Sequence, residues 1–392
     1  MKILQYSHDV AAGLGGARRV FCDMANALVA RGHEVYAVCN HFRSNRPFYP
    51  LDDRVRFINL NSSGRREIKL MTWIAGIRPF LPSVCEEMLE RTLEEPLRRR
   101  KGEPLVQLIR EIQPDIVVIY WIGDYLSIVR QQALGVPVIQ MLHESPESFF
   151  DLVNSRRKIE QINTCPHLQV LQHSFIPEIQ KVYHRTIHVI PNTVPQVKET
   201  DLADLTMEKP QKTITMISRL HLDKQQHMLI QAFGLLAKDY SEWKVEIYGP
   251  LSERGYPRKL KETISSLGLT GQVELMGATS RPLEVLRNAD IFAFPSNYSE
   301  GWGLALTEAM AVGLPCVGLK RTPSVNELIV DGVNGFLTDN TPEDFAAKLK
   351  VLMDDHNLRA AMGRTGHEMM KQYAPEKVWD QWEKLLFEIS GT

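Results

Sequence analysis

Residues 291–319 read IFAFPSNYSEGWGLALTEAMAVGLPCVGL, and the pattern within them indicates the class of fold. The apolar runs Ile291–Phe294 and Cys316–Leu319 predict strands, and the small-residue run between them predicts a helix over Leu304–Ala311. A strand, a helix and a second strand in this order form a βαβ unit, which belongs to a parallel sheet. The stretch therefore predicts an α/β protein.

The same stretch carries two carboxylates around a glycine-rich turn. Glu300 precedes the turn, and Glu308 lies on the predicted helix. Free N–H groups at a helix N-terminus bind phosphate, and carboxylates can accept hydrogen bonds from hydroxyls. The pattern predicts a ligand with both groups, such as a nucleotide sugar. The alternative is a plain turn followed by a helix with two surface glutamates.

The alternation of apolar runs and helical patterns extends over both halves of the chain. Between the halves, residues 189–195 read VIPNTVP, and a polar stretch follows as far as Lys212. Two prolines and polar composition are typical of a linker. We therefore predict one domain over residues 1–190 and a second over residues 191–374. Ligands of parallel sheets bind beyond the carboxyl ends of the strands, so we expect the site in a cleft between the domains.

Composition sets the broad class of protein. The chain has 392 residues, 44% hydrophobic and 24% charged, which is typical of a soluble protein with two domains. A net charge of −1 argues against a general nucleic-acid binder. Five scattered cysteines favour a reducing compartment and neither a disulfide framework nor a zinc site. No signal segment and no apolar run of transmembrane length is visible, so we expect a cytoplasmic protein.

Two further segments follow predicted strands. Arg219 and Lys224 come after the strand Thr213–Ile217, where paired cations suit a pyrophosphate. Gly15 and Gly16 lie between the first strand and the first helix, where glycines permit close approach of a ligand. Solvated surface charges and a turn without a ligand are the respective alternatives.

A histidine and an aspartate also follow predicted strands of the first half. His143 ends the strand Val136–Leu142, and Asp124 comes shortly after the strand Ile116–Tyr120. Side chains at these positions would face the site, although a single histidine is as often structural.

Residues 61–110 combine apolar and basic segments. An interfacial membrane patch is one interpretation, and a helical core with solvated charges is the other.

Several short motifs occur in a fixed order, and together they resemble those of family 4 of the retaining glycosyltransferases, which have the GT-B fold. The matching motifs are Gly15-Gly16-Ala17, Ala27 to Val35, Pro114-Asp115-Ile116-Val117, His143, Pro191-Asn192-Thr193-Val194, Ser218-Arg219-Leu220 with Lys224, Glu300 with Glu308, and Gly332 with Asn334-Gly335.

The resemblance implies a fold and an activity. It implies two Rossmann-like domains that face each other across a cleft, with residues 375–392 crossing back onto the N-terminal, acceptor-side domain. The C-terminal domain would bind a UDP- or GDP-linked sugar and transfer it, without a metal or other cofactor, to a glycan or lipid-linked glycan acceptor. A role in bacterial surface glycans, such as lipopolysaccharide or capsule, and peripheral contact with the inner face of the cytoplasmic membrane are further expectations.

The resemblance also implies roles for residues of the second half. Arg219 and Lys224 would bind the diphosphate, Glu308 the ribose, and Glu300 the transferred sugar. The backbone N–H groups around Trp302, Gly303 and Leu304 would position the sugar or the phosphate. Gly249, which follows the second strand of this half, would also face the donor.

In the first half, Gly15 and Gly16 would approach the donor, and His143 would lie near the sugar or the reaction centre. The acidic residue that the family usually has after the glycines is Arg18 here. Two alternatives remain for the activity: a nucleotide-sugar 2-epimerase of similar fold, and a protein that binds nucleotide sugars without catalysis.

Overall fold

The computed structural model of this chain describes residues 1–11, 13–41, 46–60, 88, 90–128, 135–207, 209–297 and 299–391. The chain divides into two compact units, one formed by Met1–Pro191 with Val378–Thr392 and the other by Asn192–Lys377. Most of the apolar and basic segment at 61–110 lies outside the described residues, and its last part consists of a π-helical turn, Glu90–Glu94, and most of the helix Glu95–Ile112.

The described part of the first unit contains a seven-stranded sheet. Its strands are β1 (Lys2–Tyr6), β2 (Glu34–Cys39), β3 (Arg56–Asn59), β4 (Ile116–Ile119), β5 (Val138–Met141), β6 (His167–Val170) and β7 (Thr186–Val189). The strand order is β3-β2-β1-β4-β5-β6-β7, and every neighbouring pair is parallel. All four residues of β4 are apolar and buried, as expected for a parallel strand whose two faces are both covered.

The sequence did not indicate β7. Its four residues, Thr186–Val189, include a threonine and a histidine, and all are exposed or half-buried. The strand lies at the edge of the sheet, so it lacks the apolar run by which the inner strands were recognised.

Helices connect these strands. They are α1 (Gly16–Ala30), α2 (Glu95–Ile112), α3 (Ile122–Ile128), α4 (Pro146–Leu152), α5 (Arg156–Ile162) and α6 (Ile176–Ile179). Ser145 and Ser155 cap α4 and α5 by accepting hydrogen bonds from backbone N–H groups of the first turn.

The second unit contains a six-stranded sheet, again parallel between all neighbours. Its strands are β8 (Lys212–Ile217), β9 (Trp243–Tyr248), β10 (Val273–Gly277), β11 (Ile291–Phe294), β12 (Cys316–Leu319) and β13 (Gly335–Thr338). The order β10-β9-β8-β11-β12-β13 is that of a Rossmann sheet, which confirms the α/β prediction. Its described helices are α7 (Gln226–Gly234), α8 (Tyr256–Ser266), α9 (Pro282–Arg287), α10 (Leu304–Ala311), α11 (Pro323–Leu328), α12 (Pro342–Asp354) and α13 (His356–Met370).

The last helix, α14 (Pro375–Ser390), has an apolar stripe that includes Trp379 and Trp382, both buried. Its polar side reaches the first unit: Asp380 accepts a hydrogen bond from Arg31 at 3.1 Å, and Glu383 lies 2.7 Å from His33 Nε2.

The topology determines where ligands can bind in each unit. In the first sheet the connections run outward from β1 on one side and from β4 on the other, and in the second sheet from β8 and β11. At such a switch point the loops beyond the two strands diverge and leave a crevice at their carboxyl ends. The residues that follow these four strands are therefore the candidates for function.

Candidate functional site

The second unit places a partly buried ion pair at its switch point. Lys224 ends a short 3-10 helix after β8, and Glu300 lies in the loop after β11. The ammonium of Lys224 donates a hydrogen bond to Glu300 Oε2, and the two side chains are 14% and 17% exposed. The structure therefore joins two residues that the sequence placed on separate motifs.

Two more groups donate to the Glu300 carboxylate. The hydroxyl of Ser296 donates to Oε2 at 3.1 Å, and the N–H of Gly303 donates to Oε1 at 3.2 Å. Burial alone would raise the pKa of Glu300, but the charge and hydrogen bond of Lys224, together with these two donors, hold it below the ordinary value. Glu300 is therefore an anion at neutral pH and can only accept hydrogen bonds.

Hydrogen bonds hold the two segments that carry this pair together. The N–H of Asn297 donates to the Asp223 carbonyl at 2.9 Å, and the Gln225 side chain donates to the Pro295 carbonyl at 2.9 Å. Gln225 is left-handed, with φ of 49°, which turns the chain from the 3-10 helix into α7. Sequence reasoning missed these residues because each is an ordinary polar residue of a loop.

The turn after Glu300 leads directly into α10. Gly303 caps this helix with φ of 74°, and a Cβ there would lie 3.2 Å from the Phe294 ring, so the position favours glycine. The Trp302 side chain is 3% exposed and packs edge-on against Tyr373, with ring centroids 5.1 Å apart. The whole Trp302 residue is therefore buried, and its indole Nε1 has no hydrogen-bond partner among the described residues.

Glu308 lies on α10 and is only 5% exposed. Since both carboxylates are largely buried, the interpretation as two surface glutamates is wrong. Burying a carboxylate is costly unless hydrogen bonds or an opposite charge compensate it, so two largely buried glutamates in one segment indicate a polar site.

Arg219 and Gly249 follow neighbouring strands, β8 and β9. The Arg219 residue is exposed, and among the described residues no carboxylate forms an ion pair with it. A Cβ on Gly249, whose φ is +155°, would lie 1.7 Å from the Ser218 carbonyl oxygen. The glycine thus lets the two strand ends approach each other and brings the backbone around Arg219 to its position.

In the first unit, Arg18 organises the glycine loop before α1. Its guanidinium donates to Asp9 Oδ2 at 2.7 and 3.1 Å and to the Leu14 carbonyl at 2.7 Å. Gly15 caps α1, and Gly16 is its exposed first residue. Arg18, the residue that departs from the family pattern, therefore holds the glycine loop against the end of β1.

His143 follows β5 and is packed against an aromatic wall. Its ring stacks on Tyr120 at 5.2 Å and 18°, and its buried Nε2 has no hydrogen-bond partner among the described residues. Burial lowers the pKa of His143 to about 4, opposed only by the charge of Asp9. The imidazole is therefore neutral and holds an unsatisfied nitrogen, which is costly unless a ligand contacts it.

Asp124 is paired with a residue that the sequence analysis missed. Its carboxylate, 3% exposed, lies 3.0 Å from His8 Nδ1, and it also accepts the His8 backbone N–H at 3.1 Å. Asp9 accepts from Trp121 Nε1 at 3.2 Å and from the Ser7 hydroxyl at 3.1 Å. The residues that the sequence analysis missed are His8, Asp9 and Ser7, which follow β1, and Trp121, which follows β4. Their positions after two strands were the signal that could have identified them.

Among the described residues, the one group that could hold a metal ion comprises Glu199, His367 and Glu368. Lys371 already forms ion pairs with both glutamates, and the group includes none of the candidate residues above. No helix within the described ranges of the chain is long and apolar enough to cross a membrane.

Two parallel sheets with polar residues at their switch points define a two-unit α/β protein of the GT-B class. The family model described as Glycosyltransferase Family 4 matches residues 14–196, and the model described as Glycosyl transferases group 1 matches residues 197–369. The chain belongs to the group 1, family 4 type of glycosyltransferases and is a transferase enzyme.

Individual relatives agree with this assignment. An uncharacterized glycosyltransferase of Haemophilus influenzae is 25% identical over 380 residues, which are 95% of this chain and 96% of that protein. The poly(ribitol-phosphate) alpha-N-acetylglucosaminyltransferase of Staphylococcus aureus is 29% identical over 178 residues, 45% of this chain and 35% of that protein. The crystal structure of Anabaena HepE in complex with UDP and glucose shares the fold, with a TM-score of 0.74 at 19% identity over 98% of this chain and 99% of that chain.

Proposed function

We propose that this enzyme transfers a sugar from a nucleoside diphosphate donor to an acceptor hydroxyl with retention of anomeric configuration. The observation that carries the proposal is the partly buried pair of Lys224 and Glu300 at the switch point of the second unit. An anion fixed beside a cation offers an acceptor for sugar hydroxyls and a donor for phosphate oxygens in one place.

The donor diphosphate would be bound without a metal. Lys224 has three N–H donors and needs only one for Glu300, so the others remain for a phosphate. Arg219 supplies a solvent-facing guanidinium beyond β8, and the N–H groups at the start of α10 supply a partial positive charge. Such preorganised donors stabilise the charge that develops on a leaving diphosphate.

The nucleoside and the sugar would contact the two glutamates. Glu308 would accept from the ribose hydroxyls and Glu300 from the transferred sugar, while His143 and the loop of Gly15 and Gly16 would act from the first unit. The Anabaena relative was crystallised with UDP, which supports a uridine donor over a guanosine donor.

Retention and biological role are supported by the name of a relative. The Staphylococcus aureus protein makes an α linkage, and an α product from an α-linked nucleotide sugar is a product of retention. Its acceptor is a poly(ribitol-phosphate), and together with the family resemblance this leads us to extend the proposal to a bacterial surface glycan, such as lipopolysaccharide or capsule. The acceptor would be a glycan or lipid-linked glycan, met by a cytoplasmic enzyme at the inner face of the membrane.

The test is a screen of UDP- and GDP-sugars with and without a panel of glycan acceptors in excess chelator. The proposal expects one donor to raise the Tm, release of nucleoside diphosphate, and an acceptor product with the anomeric configuration of the donor. Conversion of the donor into an epimer without an acceptor would instead establish an epimerase. A donor that binds but releases no nucleotide with any acceptor, or loss of activity with chelator, would contradict the proposal.

A further inference from the structure

The pair of His8 and Asp124 has an asymmetric geometry. Asp124 is buried at the start of α3, with its side chain 3% exposed, whereas the His8 side chain beyond β1 is 38% exposed. One carboxylate oxygen lies 3.0 Å from Nδ1, and the other accepts the His8 backbone N–H at 3.1 Å. The backbone and the ring of His8 are therefore both fixed by one buried anion.

This geometry determines the tautomer of the imidazole. An ionised carboxylate can only accept hydrogen bonds, so His8 Nδ1 must carry the proton. In the neutral ring the lone pair then lies on Nε2, and among the described residues no group forms a hydrogen bond with that nitrogen. His8 thus presents an oriented acceptor on a partly exposed ring, backed by Asp124.

The surroundings of His8 resemble a site for a polar ligand. Trp121 lies edge-on to the His8 ring at 6.3 Å, and its indole is held by Ser7 and Asp9 through Nε1. Burial and the charge of Asp9 raise the pKa of Glu144 to about 7, although its own backbone N–H and His8 oppose this shift. A fixed aromatic ring and several groups able to exchange hydrogen bonds with hydroxyls thus meet at the switch point between β1 and β4.

We propose that His8 binds the acceptor substrate, its Nε2 accepting a hydrogen bond from a sugar hydroxyl, and that Asp124 is the positioning residue that fixes the ring. The proposal rests on the transferase function above and assigns the acceptor subsite of the first unit to particular residues. It makes the acceptor a polyhydroxylated molecule rather than an apolar one.

Protonation of Nε2 would abolish this acceptor, so acceptor binding should strengthen with pH. Burial favours the neutral form of His8, but the charge and hydrogen bond of Asp124 outweigh it, aided by Asp9 and opposed by Lys101, and the pKa of His8 is raised. The acceptor KM should therefore fall as the pH rises through this raised pKa, while donor affinity stays constant.

Two amide variants separate binding from a purely structural role. H8N keeps a donor near the position of Nδ1 and removes Nε2, whereas H8Q places an amide near Nε2 and loses the Nδ1 contact. We expect H8N to retain the Tm and to raise the acceptor KM about tenfold, the loss of one hydrogen bond. If H8N transferred sugar like wild type and only H8Q were impaired, His8 would merely satisfy Asp124, and the proposal would be wrong.

A second measurement does not require the natural acceptor. The ring resonances of His8 and the indole resonance of Trp121 are followed by NMR while methyl α-D-glucopyranoside, its galactose and mannose analogues, or the control cyclohexanemethanol, which has a six-membered ring but a single hydroxyl, are added. The subsite is supported if a glycoside causes a saturable shift of the Trp121 resonance and the H8N substitution abolishes that shift, even if no nucleotide sugar binds. Donor binding and hydrolysis without any glycoside-dependent shift would overturn the subsite and leave the transferase proposal intact.

Discussion

Lys224 and Glu300 form a partly buried ion pair across 76 positions of the chain, and the pair joins the turn after β8 to the loop after β11. The contact makes each side chain depend on the other. Without Glu300, Lys224 would be a partly buried cation that has lost its carboxylate, and without Lys224 the Glu300 carboxylate would lose the group that does most to keep its pKa low. The pair therefore serves the fold of the loop as well as the proposed chemistry.

Replacement of Lys224 by alanine should weaken the binding of nucleoside diphosphate. A charge-assisted contact with phosphate contributes about 2 kcal/mol, so the Kd should rise roughly 30-fold. Isothermal titration of the diphosphate measures this change. The control is K320A, which removes an exposed lysine of the same unit that pairs with Asp339; equal Kd values for the two variants would argue against a phosphate contact at Lys224.

Replacement of Gly249 by alanine should destabilise the second unit. The added Cβ would lie 1.7 Å from the Ser218 carbonyl oxygen, so the ends of β8 and β9 would have to separate. Gly277 is the matched control, because it also has a positive φ, of 79°, but has nothing within 4 Å of its Cβ. We expect G277A to cost about 1 kcal/mol and G249A about 3 kcal/mol or more in urea unfolding. Similar losses would show that the strand ends adapt.

Replacement of Arg18 by alanine should loosen the glycine loop of the first unit. Arg18 and Asp9 are 23% and 18% exposed, so the pair should contribute about 1 kcal/mol, more than an exposed pair. The comparison is R54A, whose side chain is 61% exposed in its pair with Asp52. Hydrogen exchange at the Gly15 amide, which donates to Tyr49, should accelerate in R18A and stay unchanged in R54A. Unchanged exchange in R18A would mean that other contacts hold the loop.

His143 should make stability depend on pH. Its pKa is lowered from 6.5 to about 4 in the folded protein, so between these values the unfolded chain binds the proton and the folded protein does not. Stability should therefore fall as the pH drops from 6.5 towards 4, by up to about 3 kcal/mol. H143F keeps a ring against Tyr120 and removes the titration, so its loss of Tm over this range should be smaller. Parallel curves for the two proteins would contradict the buried neutral state.

The fold was largely predictable because inner parallel strands are continuous apolar runs. Strand β11 and helix α10 have the predicted bounds, Ile291–Phe294 and Leu304–Ala311. The edge strand β7 was missed, because an edge position requires no apolar run.

Candidate residues could be predicted where a motif or the end of a predicted strand marks their position, but the contacts between them could not. Glycines around Glu300 indicated a turn, but its pairing with Lys224 depends on the left-handed Gln225 and on the strand register, which no local pattern reveals. His8 and Asp124 are 116 positions apart and lie in no glycine motif. Their pairing follows from the adjacency of β1 and β4, which requires the topology of the whole sheet.

The most direct test of the central claim is the rate of nucleoside diphosphate release from the active donor by E300Q. The glutamine keeps the size of the side chain and an oxygen for the Gly303 N–H, but it removes the anion that Lys224 and Ser296 surround. The control is E284Q, a change at an exposed glutamate of the same unit. The account predicts a fall of about 100-fold in E300Q, which should have a lowered Tm but still be folded at the assay temperature, and wild-type release in E284Q. Wild-type release by folded E300Q would contradict it.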